Sequence, residues 1–132
     1  MPTFTVYGHP ATKGSTVSFM GDEGKIITKT DSDRLKAWTR DVQWAARAAK
    51  VKRIAKPHGV KLTVRFAFLR PSSAPADRLY PTVPPDLDKT LRATLDSLSN
   101  GLGYDDDSQV VDISAIKVYG EAALTTIQIE AV

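Results

Sequence analysis

Apolar residues recur along this chain with two periods, and the switches between them divide it into elements. Thr3 to Tyr7 alternates as a short strand and runs into Gly8-His9-Pro10, with a turn expected over Pro10 to Gly14. Ser15 to Met20 and Lys25 to Thr30 alternate on either side of Gly21-Asp22-Glu23-Gly24, which predicts a β-hairpin that would set Lys13 near Lys25. From about Arg34 to Lys52 the period lengthens: Leu35, Trp38, Val42, Ala45, Ala46 and Ala49 share one helical face behind the N-cap candidates Asp31, Ser32 and Asp33. Val60 to Leu69 alternates most cleanly, with Leu62, Val64, Phe66 and Phe68 opposite Lys61, Thr63 and Arg65. Arg70 to Pro85 carries Pro71, Pro75, Pro81, Pro84 and Pro85, and reads as a long exposed loop, expected to be a mobile flap facing the substrate. Leu87, Leu91, Leu95 and Leu98 then mark a second helix that opens on Asp86 and Asp88 and breaks at Asn100, Gly101 and Gly103. Ser108 to Tyr119 and Leu124 to Ala131 predict two closing strands around a turn near Gly120.

The order of elements predicts an α+β fold: a single domain over residues 1–132, with a mixed β-sheet and two main helices packed against it. The length suits one core. The chain has no cysteine, which excludes a disulfide framework, a thiolate metal site and a cysteine nucleophile. No apolar run is long enough to cross a bilayer, and the N-terminus lacks the layout of a signal peptide, so a cytoplasmic location is expected.

Charge is distributed unevenly. Residues 1–66 hold 13 Lys and Arg against 5 Asp and Glu, whereas residues 67–132 hold 5 against 10. A basic surface beside an acidic pocket suits a metal-dependent nuclease, whose cations draw phosphates toward carboxylates that would repel them. On the first long helix, Lys36, Arg40, Gln43, Arg47 and Lys50 form a basic ridge one residue round from the core stripe, a candidate contact for a phosphate backbone and equally a solvated face. Trp44 falls on neither stripe and is a candidate for a subunit interface. Arg70, Arg78 and Tyr80 of the proline-rich loop are further candidate nucleic-acid contacts.

The candidate chemistry lies in PPDLDKTLRATLDSLSNGLGYDDDSQVVD, residues 84–112, which sets two knots of carboxylates at the two ends of a helix. Clustered carboxylates oppose folding unless a cation or a proton offsets them. Asp86 by itself reads as a helix cap, and Asp105 to Asp107 as a polar turn. However, if Pro85 keeps Asp86 out of helical geometry, its side chain and that of Asp88 need not diverge. One helix-and-return could then bring both knots to one ion. The EF-hand pattern of spaced ligands, Gly and terminal Glu is absent, which leaves hard cations with open coordination positions, Mg²⁺ or Mn²⁺. His9 and His58 stay outside this scheme.

Asp86-Leu87-Asp88, the helix running to Leu95-Asp96-Ser97-Leu98, and Tyr104-Asp105-Asp106-Asp107-Ser108-Gln109-Val110 together closely resemble the RusA family of Holliday junction resolvases. The resemblance extends to the N-terminal strand, the following turn and the basic helix. It implies a small homodimeric, Mg²⁺-dependent endonuclease of phages and prophages acting on four-way DNA. It further implies that Asp86, Asp88 and Asp107 are the catalytic metal ligands, with Asp106 a less critical neighbour. Arg92 stands where the family has a functional lysine, and a guanidinium there allows an electrostatic role but not proton donation. Lys89 replaces the family's usual asparagine, and Lys13-Gly14-Ser15-Thr16-Val17 retains only the start of a basic turn. The DNA contacts expected are Lys13, Lys36, Arg40, Arg47, Lys50, Arg78 and Lys89. A dimer with an apolar interface using Trp38 or Trp44 is expected, because two opposed cuts in a two-fold junction call for two sites. The alternatives are a nuclease of other branched DNA and a non-catalytic DNA-binding module.

Overall fold

A computed structural model of the chain describes residues 2–13, 16–20, 26–30 and 32–132, giving the backbone alone for residues 16–20, 26–30 and 32. The elements in chain order are β1 (Thr3–Tyr7), β2 (Thr16–Met20), β3 (Ile26–Thr30), α1 (Ser32–Ala48), β4 (Val60–Leu69), α2 (Leu87–Leu98), β5 (Val110–Gly120) and β6 (Leu124–Ala131). A 3₁₀ turn over Asp107–Gln109 precedes β5. Four strands form one mixed sheet in the order β1-β6-β4-β5, and β2 and β3 pair antiparallel as the predicted hairpin. The proposed turn over residues 21–24, and with it the approach of Lys25 to Lys13, lies outside the described residues.

Alternation places the sheet's buried face. Phe4, Val6, Leu62, Val64, Phe66, Phe68, Ile127 and Ile129 point to one side, where Trp38, Val42 and Ala46 of α1 and Ala93 and Leu98 of α2 complete the core. Full burial of such large side chains stabilises the fold by about 1.5–3 kcal/mol each relative to exposure. The α+β expectation holds.

Two details of the helices depart from the pattern-based expectation. The first helix ends at Ala48 rather than near Lys52, because Lys50 adopts a left-handed φ of 56°. Its N–H donates to the Arg47 carbonyl (3.0 Å), and Val51 N–H donates to Ala46 (3.1 Å). That pair of bonds is a Schellman ending, built without the usual glycine. Lys50 therefore leaves the basic ridge, on which Lys36, Arg40 and Arg47 remain exposed. In α2 the wholly buried line is Thr90, Ala93, Thr94, Ser97 and Leu98, while Leu87, Leu91 and Leu95 are only half-buried on its flank. Polar residues fit there because each satisfies its hydroxyl locally: Thr94 donates to the Thr90 carbonyl (2.9 Å) and Ser97 to that of Ala93 (2.7 Å). Their small size also admits α1, whose Trp38 indole donates to the Thr94 hydroxyl at 3.3 Å.

The proline-rich segment makes hydrogen bonds within itself and to β5. The Arg70 guanidinium donates to the carbonyls of Pro75 and Arg78, both at 2.5 Å, and Lys117 of β5 donates to those of Val83 and Pro85, both at 2.9 Å. Arg70 is thus committed to its own loop, and Arg78 is half-buried.

Candidate active site

The positions of the acids follow from topology. β4 and β5 run parallel, so the chain leaves the end of β4, returns antiparallel along α2 and starts β5 at the opposite end. Asp86 and Asp88 stand where α2 begins, and Asp105 to Asp107 stand where it has ended. Twelve residues of helix span roughly 18 Å. The described residues include no group of three or more His, Cys, Asp or Glu placed to hold a metal. The meeting of both knots within one chain, expected from a helix-and-return, is therefore not found.

At the N-terminal end, Asp86 occupies the N-cap position with the extended backbone usual there (φ −69°, ψ 138°), but its carboxylate makes no capping hydrogen bond. It pairs instead with the Lys89 ammonium at 3.2 Å. Asp88 and Arg92 are both exposed, one turn apart on the same side of α2. The capping role that sequence allows for Asp86 is left unused.

At the far end the three consecutive aspartates divide their work. Asp105 forms an ion pair with Arg53 and accepts the Lys56 N–H at 3.2 Å; the Arg53 hydrogen bond, then that of Lys56, holds its carboxyl below the usual range. Asp106 caps the 3₁₀ turn by accepting the Ser108 N–H at 2.9 Å, which likewise lowers its pKa. Asp107 has neither role. Burial pushes its carboxyl up, the Tyr104 hydroxyl at 3.2 Å pulls it down, and the facing carboxyl of Asp96 raises it again. Asp96, on α2, forms an ion pair with Lys13. Lys13, Asp96, Asp107 and Tyr104 thus form one polar string at this end.

Two residues outside the candidate set hold this arrangement. Tyr104 is fully buried, and its hydroxyl also lies 2.9 Å from the Leu95 carbonyl. Burial and the charge of Asp107 raise its pKa beyond the ordinary phenol value, so it stays protonated and a donor. Gln109, 6 % exposed, accepts the N–H groups of Asp105 (2.7 Å) and Asp106 (2.9 Å) and donates to the carbonyls of Ile54 (3.0 Å) and His58 (3.1 Å). All four bonds of one amide thus fasten the acidic loop to the 54–58 segment. Nothing in periodicity marks Asp96 or Gln109, although both fall inside the motif; a buried position within an acidic turn is the signal that was available.

The loop reversal that sets Asp107 at the start of β5 depends on small residues. Asn100 and Gly101 have φ of 63° and 92°, and a Cβ on Gly103 would lie 3.0 Å from the Ile129 Cδ1 and 3.3 Å from the Leu98 carbonyl oxygen. A side chain at Gly103 would thus crowd Ile129 and the end of α2.

Of the candidate DNA contacts, Lys36, Arg40, Arg47 and Lys50 are exposed, Arg40 lies 3.6 Å from Asp41, and Lys13 and Lys89 are each paired with an acid of α2. Trp38 is 3 % exposed and belongs to the core, so it cannot serve an interface; Trp44 is 74 % exposed. The carboxylate donors at both ends suit a hard divalent cation by their chemistry.

Comparison with family models matches residues 15–130 to "Endodeoxyribonuclease RusA". Comparison with curated proteins gives no match.

Proposed function

The chain belongs to the RusA family of endodeoxyribonucleases, and from that premise we propose that it is a Mg²⁺-dependent resolvase of four-way DNA junctions that acts as a homodimer. The observation that supports the metal reading is Asp107, the carboxylate of the acidic turn that, among the described residues, neither pairs with a cation as Asp105 does nor caps the turn as Asp106 does, and so stays available to an ion. A Mg²⁺ ion held by Asp86, Asp88 and Asp107 would make a water nucleophilic and polarise the scissile phosphate. Tyr104 orients Asp107, Lys13 offsets the charge of Asp96, and Arg92 supplies fixed positive charge to a phosphate without exchanging a proton. Asp106, occupied as a cap, contributes less.

The separation of the two acid knots supports the dimer. β5 is an edge strand with no strand partner on its outer side among the described residues, and its Val111, Ile113 and Ile116 are 66 %, 41 % and 45 % exposed, an arrangement that invites strand pairing. In this proposal two β5 strands pair antiparallel about a two-fold axis near Ile113 and Ser114. The α2 helices then lie antiparallel on the same face, with their half-buried Leu87, Leu91 and Leu95 between them. Asp86 and Asp88 of one chain come toward Asp107 of the other, so each site draws on both subunits. Lys36, Arg40 and Arg47 would flank the sites as phosphate contacts. A cytoplasmic setting in a phage- or prophage-bearing host is part of the same reading; among the described residues no helix is long and apolar enough to cross a membrane.

The test is cleavage of four-way, three-way and linear DNA with and without Mg²⁺. Paired, Mg²⁺-dependent cuts confined to the four-way junction are expected. Equal cutting of all branched forms would widen the substrate class, and junction binding without cutting under any divalent ion would reduce the protein to a binding module.

A further inference from the structure

The backbone that delivers the chain to Asp86 is held by a side chain from another element. The Lys117 ammonium donates to the Val83 and Pro85 carbonyls, both at 2.9 Å, and so straddles Pro84 immediately ahead of the first acid of α2. In β5, Lys117 is paired with Phe66 of β4, a core residue, so its side chain rises on the face of the sheet that carries the helices. Three N–H groups on one atom let an ammonium grip two carbonyls at once.

The segment needs such a donor. Pro84 and Pro85 have no N–H, so at these two positions the backbone offers acceptors alone. α2 also starts without help from its N-cap side chain: the Asp86 carboxylate makes no capping hydrogen bond and pairs with Lys89 at 3.2 Å. A cation beside the positive end of a helix is electrostatically unfavourable. The two carbonyl oxygens, rather than the helix, therefore account for where Lys117 sits. With the backbone held from β5, the Asp86 carboxylate is spared the capping role and stays available to the site, as does the exposed Asp88.

We infer that Lys117 is a positioning residue for the nuclease reaction: by fixing the chain on both sides of Pro84 it sets the direction in which Asp86 and Asp88 are presented. The inference rests on the reading of these acids as metal ligands. Two of the three Lys117 N–H groups are engaged by the protein itself, which suits a support better than a phosphate contact. A group that orients ligands acts on metal affinity and on turnover, and leaves the attraction of DNA alone. The strand proposed to pair across the two-fold axis thus also carries the support of the acids.

Lys117→Met keeps the length of the side chain and removes its charge and its donors. The full-length variant is compared with wild type in Mn²⁺ affinity without DNA, by electron paramagnetic resonance, in amide hydrogen exchange from Asp86 to Thr90, and in metal-free junction affinity. Mn²⁺ binding should weaken about 10- to 100-fold, the usual effect of removing a group that orients metal ligands. Exchange should quicken from Asp86 to Thr90 and not in β4, and metal-free junction affinity should hold. Lys117→Arg, which keeps charge and donors, should recover most of the Mn²⁺ affinity. Unaltered Mn²⁺ affinity and local exchange in Lys117→Met would overturn the inference. So would a loss of junction affinity with a reduced salt slope, which makes Lys117 a phosphate contact. Lys117→Gln, which keeps an N–H donor, gives the same comparison where Lys117→Met does not fold; failure of both to fold overturns the inference by making the lysine a general support of the fold. Wild-type protein that binds no Mn²⁺, yet exchanges faster at Asp86 once Lys117 is replaced, removes the metal reading and leaves the hold on the backbone standing. Wild type that binds Mn²⁺ and cuts the junction, with Lys117→Met unaltered, does the reverse.

Discussion

The Tyr104 hydroxyl stands 3.2 Å from an Asp107 carboxylate oxygen, at the point where α2 has turned back into the sheet. Its single hydrogen is also within 2.9 Å reach of the Leu95 carbonyl, so it is shared between the last turn of the helix and the acid. Tyr104→Phe should cost about 1 kcal/mol of stability, read by chemical denaturation. Because that hydroxyl lowers the Asp107 pKa, its loss should also move the acidic limb of the pH–rate profile for cleavage to higher pH. An unmoved limb would detach Tyr104 from the chemistry.

Asp96→Asn acts on the same acid with the opposite sign. Burial first, and then Asp96, raise the Asp107 carboxyl above its ordinary value. Between the ordinary and the raised value the folded chain binds more protons than the unfolded one, so stability falls as pH rises through that window. Asp96→Asn should shrink that fall, seen as a flatter Tm as pH rises from the ordinary carboxylate range in metal-free buffer. Loss of the Lys13 ion pair adds a destabilising offset of about 0–1 kcal/mol.

Asp107→Asn should abolish Mg²⁺-dependent cleavage while metal-free junction affinity holds or rises, since a carboxylate facing a phosphate repels it. Asp106→Asn should keep most activity, because asparagine caps the 3₁₀ turn about as well as aspartate. Asp106→Ala, which removes the cap, should cost about 1 kcal/mol. Cleavage assays beside filter binding or anisotropy separate these outcomes.

A mixed dimer tests whether each site draws on two chains. When Asp88→Asn in one subunit is combined with Asp107→Asn in the other, a shared arrangement leaves one site with both lesions and one intact. The preparation should then nick one strand of the junction, although either homodimer is inactive. Sites contained within single chains would leave the mixture dead.

Lys36, Arg40 and Arg47 to Ala, singly, should each weaken junction binding and reduce the slope of log affinity against log salt by roughly one unit. Lys50 lies past the helix in a left-handed turn, so Lys50→Gly is the cleaner substitution there. An unchanged slope in the triple Ala variant would make the ridge a solvated face.

What the sequence made legible was local. The Val60 to Leu69 strand and the closing strands follow from alternation, and the start of α2 from an N-cap residue, Asp86, set just ahead of the apolar-periodic run. Three features depend on long-range structure. Leucine spacing points to Leu87, Leu91 and Leu95 as the core of α2, but Thr90, Thr94 and Ser97 are buried instead, since hydroxyls bonded to their own helix bring α1 close at little cost. Parallel pairing of β4 and β5, which parts Asp86 from Asp107, joins segments about forty residues apart and has no local signature. Asp96 reads as one more polar position on a helix until Lys13, 83 residues away, is seen against it.

The four bonds of Gln109 have a consequence for how this protein can be measured. They join the acidic loop to the Ile54–His58 segment through a neutral amide, so neither the screening of charges nor the titration of carboxylates acts on them directly. Raising the salt concentration should therefore release DNA while the loop stays latched. Acidification should likewise discharge Asp107 before it displaces it. Losses of binding or cutting across such series then report the electrostatics of a fixed surface rather than a scaffold coming apart, and they should be fully reversible on return to the starting buffer.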